Sequence, residues 1–136
     1  MFATKKVVKE GMMKPYPKDK VPIEPVALPE GFEWETFDIM DDAVAIEITD
    51  FLNMHYVSDP DGHFILKYSV EKFRWVMCTP GWFKDLHYCV RNSKNKKVMA
   101  VFMSSPKKFL MNDKPIHMIE TNFLAVHSKL RGKRMA

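Results

Sequence analysis

Cysteine is scarce in this chain of 136 residues, which has only Cys78 and Cys89. Two cysteines are too few for a disulfide framework, and these two lack the C-x-x-C spacing of a metal site. We interpret both as reduced thiols of an intracellular protein and expect a cytoplasmic location. Long apolar runs are missing too. No stretch approaches the about 18 apolar residues that cross a membrane, so we expect no stable membrane insertion.

Acidic residues are missing from the last eight positions, Lys129–Ala136, where the net charge of +4 is concentrated. A second basic cluster, Lys94, Lys96 and Lys97, falls in a polar stretch and indicates a solvated hairpin tip. The basic residues lack the interleaved aromatic residues of a surface that stacks nucleic-acid bases. A phosphate- or nucleic-acid-binding domain is therefore a weak interpretation, and we expect no nucleic-acid partner.

The composition is that of a folded domain, with 46% hydrophobic and 28% charged residues. A chain of this length suits one domain with a real core. Prolines are concentrated near the start of the chain, and proline fixes φ and lacks an N–H group. We predict an extended, proline-rich N-terminal arm over residues 1–27 and one domain over residues 28–136.

Two helices are predicted from capping residues and apolar spacing. Asp41 and Asp42 are good N-caps, and apolar residues recur three and four positions apart after them, which predicts a helix over Asp42–His55. Ser69 can cap a second helix over Val70–Cys78, which Thr79-Pro80-Gly81 would end.

The chain then changes to strand patterns separated by polar turns. The predicted strands are a short one that follows Leu28, then Leu86–Arg91, Val98–Ser104, Phe109–Met111 and Ile116–Val126. The fold class is therefore α+β, with two helices followed by an antiparallel meander.

The last strand runs into a loop that contains Gly132, Lys133 and Arg134. Successive N–H groups in such a loop can point at an anion, and the positive end of a following helix would add to the attraction. A pyrophosphate would suit this loop. From the residues alone, a solvated basic tail explains the segment equally well.

The segment Glu120–Ala136 carries a resemblance. It reads E-T-N-F-L-A-V-H-S-K-L-R-G-K-R-M-A, and it resembles the myristoyl-CoA-binding stretch of N-myristoyltransferases, approximately E-I-N-F-L-C-V-H-K-K-L-R-S-K-R-V-A-P. Leu28–Trp34, Tyr56-Val57 and Pro80-Gly81-Trp82 also match in order and spacing. The chain is thus similar to glycylpeptide N-tetradecanoyltransferases, from about Pro22 onward.

The resemblance implies a mixed, mainly antiparallel sheet with two helices, as in part of the GNAT (acyl-CoA N-acyltransferase) fold. It also implies direct attack of an N-terminal glycine amine on the thioester of myristoyl-CoA, a co-substrate, with no permanently bound cofactor. Backbone N–H groups of Phe123 and Leu124 would form the oxyanion hole. The residues that match the family's acyl-CoA contacts are Leu124, Ala125, Val126, Gly132, Lys133, Arg134, Met135 and Ala136.

The resemblance also implies a groove for proteins or peptides that begin with glycine. The matching positions are Tyr56, Val57, Asp59, Asp61, Phe64 and Leu66. The two aspartates would attract a basic peptide, but as plain residues they are also good turn formers. Ser58 and Pro60 depart from a more acidic family loop. The five histidines show no metal spacing, so no metal is expected, and His127 is interpreted as structural or surface-exposed.

The family sequence continues beyond the point that matches Ala136, with a helix, the rest of this GNAT half and a second half. The family's general base, its final carboxylate, lies in that second half. We therefore expect an incomplete, truncated domain that is inactive alone. The alternative is a non-catalytic module that binds acyl-CoA or peptide.

Overall fold

The computed structural model describes residues 17–57, 61, 63–64, 66–111 and 113–132. Its helices and strands, in chain order, are β1 (Phe32–Thr36), α1 (Asp42–His55), α2 (Val70–Met77), β2 (His87–Asn92), β3 (Val98–Met111) and β4 (Lys114–Val126). Single 3-10 turns occur at Lys18–Lys20, Lys84–Leu86 and Ser128–Leu130.

Both predicted helices are confirmed. α1 begins and ends at the predicted residues, and Asp41 Oδ1 accepts a hydrogen bond from the N–H of Val44 at 3.1 Å. Ser69 Oγ caps α2 in the same way by accepting from the N–H of Lys72 at 3.3 Å. α2 ends at Met77, one residue before the predicted end, because Cys78 has left the helical conformation.

The four strands form one antiparallel sheet in the order β1-β2-β3-β4. A mainly antiparallel sheet with two helices is therefore confirmed. The predicted hairpin tip is also present, since residues 93–95 form a turn and Lys94, Lys96 and Lys97 are exposed. The second predicted turn, Asn112-Asp113-Lys114, is described only in part, because Asn112 lies outside the described residues.

The prediction of two separate strands before the second turn is wrong, because β3 is continuous through Pro106. β2 pairs with β3 only as far as His87↔Met103. The carbonyl of Pro106 accepts a hydrogen bond from Thr79 Oγ1 at 3.4 Å, so it faces away from β4. The nitrogen of a strand residue faces the same edge as its carbonyl. The missing N–H of Pro106 therefore removes no bond between β3 and β4, which is why the strand tolerates a proline.

α1 and α2 cover one face of the sheet and form the main core. Residues of this core include Ile48 and Leu52 from α1, Phe73 and Met77 from α2, and Met103 from β3, all fully buried. The other face carries a smaller cluster of Val90, Ala100 and Val126, against which Leu28, Phe32 and Leu130 pack.

The described part of the N-terminal arm lies against β1 through Trp34, whose Nε1 donates to the carbonyl of Val26 at 2.8 Å. The expectation that the whole arm is extended is wrong at Lys18–Lys20, which form one 3-10 turn between Pro17 and Val21. The part of the arm before Pro17 lies outside the described residues. No helix in the described ranges is long and apolar enough to cross a bilayer.

Candidate functional site

A β-bulge lies where the sequence predicts the oxyanion donors. Val101 pairs with Ala125, whereas Met103 pairs with Asn122, so Phe123 and Leu124 together oppose the single residue Phe102. Phe123 has a left-handed backbone with φ of +54°. A bulge leaves its extra residue out of the hydrogen-bonded ladder. The backbone of β4 is therefore interrupted at the two predicted donors, although their role in catalysis stays a prediction.

The side chain of Phe123 anchors this bulge in the core. Only 7% of the residue is exposed. Its ring packs edge-on against Phe73 at 4.9 Å and Tyr68 at 5.5 Å, and it contacts Tyr56 at 5.4 Å between ring centroids. Aromatic pairs in such geometry add stability beyond the burial of their area. The cluster brings Tyr56, predicted to contact the peptide, beside the predicted donors.

The strand residues predicted to contact acyl-CoA do not share one face. Ala125 is buried in the core under the helices, and Val126 is buried in the cluster on the opposite face. Leu124 is 52% exposed. Leu124 is therefore the one residue of these three whose side chain is open to a ligand, whereas Ala125 and Val126 have only backbone groups to offer.

Leu124 borders a groove on the sheet face away from the helices. The groove has a volume of about 850 Å³, and Pro22–Pro25 form one of its walls. Aromatic side chains of Trp34, Tyr88 and Phe102 contribute to its lining. The volume lies within the range of about 300–1,000 Å³ that is usual for small-molecule sites.

The basic loop, which we define as residues 127–136, is described as far as Gly132. Its first turn is fixed by several hydrogen bonds: His127 N to the carbonyl of Met99 at 2.8 Å, Lys129 N to His127 Nδ1 at 3.2 Å, and Arg131 Nε to the carbonyl of Val126 at 3.3 Å. Arg131 Nη2 also donates to the carbonyl of His55. Gly132 has φ of +76°, which favours glycine. The predicted ligands Lys133, Arg134, Met135 and Ala136 lie outside the described residues.

Sequence reasoning missed the role of Arg131, which ties the basic loop to the last turn of α1. A cation at the C-terminal end of a helix interacts favourably with the helix dipole and its free carbonyls. The contact spans 76 positions in the sequence. Only the general preference for basic residues near helix ends offered a signal, and that preference does not identify the helix.

The predicted peptide-contacting residues differ in their exposure to solvent. Tyr56 is half-buried against Phe123, whereas Val57, Asp61, Phe64 and Leu66 are exposed. Asp59, with its neighbours Ser58 and Pro60, lies outside the described residues.

The structure adds Asn53, which the sequence did not single out. Its Nδ2 donates to the carbonyl of Tyr68 at 3.0 Å, and its Oδ1 accepts from the N–H of Tyr68 at 2.8 Å. These paired bonds connect α1 to the residue just before the cap of α2 and hold Tyr68 beside Phe123.

Two histidines are buried and one of them belongs to the loop contact. His87 accepts a hydrogen bond at Nε2 from Trp82 Nε1 at 3.1 Å, and burial lowers its pKa to about 4. The rings of His55 and His127 lie 4.2 Å apart. Burial lowers the pKa of His55, and the charges of His127 and Arg131 lower it further. Among the described residues, no three His, Cys, Asp or Glu side chains converge as metal ligands would.

Two helices on one face of an antiparallel sheet, with a bulged fourth strand that leads into a basic loop, define the first part of an acyl-CoA N-acyltransferase fold. The comparisons with known proteins identify the family. Residues 12–136 match the model of the myristoyl-CoA:protein N-myristoyltransferase N-terminal domain, and the chain belongs to this family.

Relatives and solved structures agree with this assignment. The chain is 39% identical over 126 residues to a glycylpeptide N-tetradecanoyltransferase of Emericella nidulans. The aligned residues make up 93% of this chain and 26% of the relative. Identity to that of Candida albicans is 43%, over 88% of this chain and 27% of the relative. The crystal structure of Saccharomyces cerevisiae N-myristoyltransferase with bound myristoyl-CoA is 35% identical, with a TM-score of 0.84, over 96% of this chain and 30% of that chain. The chain thus spans about a quarter of the length of the curated relatives that it matches.

Proposed function

We propose that this chain carries the oxyanion donors and part of the acyl-CoA cradle of a glycylpeptide N-tetradecanoyltransferase, which moves a myristoyl group from myristoyl-CoA to an N-terminal glycine. The bulge at Phe123 and Leu124 carries this proposal, because it interrupts the ladder of β4 a few residues before the basic loop. One ligand that contains both a thioester and a pyrophosphate would use both features.

In the proposed reaction the neutral glycine amine attacks the thioester carbon, the new C–N bond forms, and the C–S bond breaks to release CoA. Negative charge develops on the thioester oxygen during the attack. N–H groups of Phe123 and Leu124 would stabilise that charge, and one such donor is typically worth about 10²–10³ in rate. The donors are backbone groups, so the side chains of the two residues serve packing, as the aromatic contacts of Phe123 illustrate.

The N-terminal glycine is first an ammonium group and must lose a proton to give the neutral amine that attacks. This step requires a general base. The five predicted ligands in the basic loop and the two donors include no such base. The resemblance implies that the family's base is the final carboxylate of the polypeptide, and this chain spans 26% of the length of the Emericella nidulans relative. We therefore propose that residues 28–136, an incomplete domain preceded by the arm of residues 1–27, are inactive alone.

The proposed ligands divide between two sides of the bulge. On one side, Gly132, Lys133, Arg134, Met135 and Ala136 would hold the phosphates of CoA, and Leu124, Ala125 and Val126 would contact the thioester end. On the other side, Tyr56 would meet the peptide close to Phe123, with Val57, Asp59, Asp61, Phe64 and Leu66 further along a rim. Free thiols at Cys78 and Cys89 support a cytoplasmic setting for this chemistry.

Titration with myristoyl-CoA by calorimetry tests the proposal, and the chain offers a matched pair of variants. Lys133→Ala/Arg134→Ala and Lys94→Ala/Lys96→Ala each remove two positive charges. The first pair lies in the basic loop, whereas the second lies at the exposed hairpin tip. We expect about tenfold weaker binding for the first pair only, which corresponds to the loss of one charge-assisted hydrogen bond.

Equal weakening in both double variants would show that binding reflects net charge alone. A folded chain that gives no heat with myristoyl-CoA at all would overturn the acyl-CoA site. The alternative, a non-catalytic binding module, predicts the same binding. The two functions are distinguished by an assay of transfer of a labelled myristoyl group to a glycine-starting peptide, with the second half of a relative supplied as a separate polypeptide. Transfer by this chain alone would contradict the proposed inactivity.

A further inference from the structure

The rings of His55 and His127 form the contact between the end of α1 and the start of the basic loop. Their centroids lie 4.2 Å apart, and Phe51 packs against His55 at 4.9 Å. His55 is buried. If both imidazoles are protonated, each carries a positive charge and the two rings repel each other at this distance.

A hydrogen bond within the basic loop requires His127 to be neutral. His127 Nδ1 accepts from the N–H of Lys129 at 3.2 Å and caps the 3-10 turn Ser128–Leu130. A protonated imidazole has no acceptor nitrogen. Protonation of His127 therefore breaks this cap directly, independently of any repulsion.

The charged groups around the pair come from three elements. Arg131 of the loop donates to the carbonyl of His55 and brings a permanent positive charge beside both rings. Glu47 and Asp50 of α1, with Lys97 of the β2–β3 hairpin, line a hollow of about 230 Å³ that the two histidines share. Glu47 is engaged by Arg91 in a two-bond ion pair. Asp50 is thus the carboxylate of this hollow that remains to balance the positive charges of Lys97, of Arg131 and of a proton added to either histidine.

We propose that His55, His127 and Arg131 are positioning residues that clamp the basic loop to the end of α1, and that acid loosens the loop by protonating the histidine pair. The inference rests on the proposed function, since it concerns the loop that would hold the CoA phosphates. At pH values above the ordinary histidine range the clamp is closed. As the pH falls through the ordinary histidine range, the Lys129 cap and the ring contact are lost, and the loop holds its anionic ligand less well.

Two-dimensional NMR of the wild-type chain between about pH 8 and pH 5.5 tests the clamp without any ligand. We expect the Lys129 and Arg131 amides to lose exchange protection as the pH falls, while amides in the middle of α1 stay protected. In His55→Asn, which removes the ring contact but keeps the Lys129 cap, we expect a smaller loss of protection at Arg131 over this pH range. His117→Asn is the control, because His117 is an exposed histidine on β4, remote in sequence from the loop.

A Lys129 amide that stays protected down to about pH 5.5 would overturn the clamp. So would an equal loss of Arg131 protection in the wild type and in folded His55→Asn. If that variant does not fold, the wild-type amides decide the question alone.

The effect on the ligand is measured by myristoyl-CoA titration at the same pH values. We expect affinity to fall about fivefold more between pH 8 and pH 5.5 in the wild type and His117→Asn than in His55→Asn, the equivalent of one ordinary hydrogen bond. The ligand's own phosphate titration is common to all three proteins and cancels in this comparison. Absence of binding at every pH would overturn the proposed function, and the NMR result would still decide the clamp. Binding with equal pH dependence in all three would overturn the positioning role and leave the proposed function intact.

Discussion

Two substitutions at Phe123 test the backbone conformation of the bulge separately from the packing of its side chain. The residue has φ of +54°, where an L side chain costs roughly 1 kcal/mol or more and glycine costs little. Its ring is buried among Tyr56, Tyr68 and Phe73. Phe123→Ala and Phe123→Gly both remove the ring, and we expect each to lose about 3–5 kcal/mol of unfolding free energy.

The difference between these two variants reports on the backbone. In an ordinary strand, glycine is about 0.5–1 kcal/mol less stable than alanine. At a left-handed residue the order reverses, because the Cβ of alanine is strained there. We therefore expect Phe123→Gly to be more stable than Phe123→Ala by about 0.5–1 kcal/mol.

Urea denaturation followed by tryptophan fluorescence and far-ultraviolet circular dichroism measures both free energies. Ala125→Gly is the control, since Ala125 is two residues along β4 and has no positive φ. Ala125→Gly should lose about 0.5–1 kcal/mol of unfolding free energy, because glycine is less stable than alanine in an ordinary strand. If removal of the ring unfolds both Phe123 variants, the comparison is made in an osmolyte that strengthens burial. An alanine variant more stable than the glycine variant would refute the left-handed backbone and, with it, the argument that the bulge exposes the donors.

Three further predictions concern the scaffold around the site. Arg91, whose side chain is 9% exposed, bonds both Glu35 and Glu47, which are 42% and 43% exposed. We expect Arg91→Ala to lose about 2–3 kcal/mol in urea denaturation, whereas Lys96→Ala at an exposed pair should lose under about 1 kcal/mol; equal losses would contradict a special role for Arg91. Because the pKa of His87 falls from 6.5 to about 4 on folding, the unfolded chain binds more protons in that window. Stability should therefore fall as the pH drops through it, by about 3 kcal/mol in total, and His87→Gln should flatten the profile. Asp41→Ala should lower thermal stability by about 1 kcal/mol through loss of the α1 cap, a loss that Asp41→Asn should largely avoid.

The helices were predictable because their determinants are local. Asp41 and Ser69 form their capping bonds within three residues of sequence, and the apolar spacing that follows sets which face is buried. The family, the basic loop and the position of the predicted donors also followed from one contiguous segment, Glu120–Ala136, whose residues are recognisable without knowledge of their neighbours.

Contacts between distant segments were not predictable, because no local rule selects the partner. The continuity of β3 through Pro106 depends on where β2 stops pairing and on the hydroxyl of Thr79. The network of Arg91 joins β2 to β1 and α1 across 44 to 56 positions, and its residues have no distinctive spacing in the sequence.

The sequence by itself determined which residues form the bulged strand and the basic loop, but not how they are held. The left-handed φ of Phe123 arises because β3 and β4 are offset by one residue. Its ring is fixed among three others, which come from the C-cap of α1, from α2 and from the segment before α2. The loop is fixed because Arg131 and His127 meet His55 at the end of α1. Both results come from long-range packing, which the tertiary structure alone decides, since the same residues in isolation have no reason to adopt either geometry.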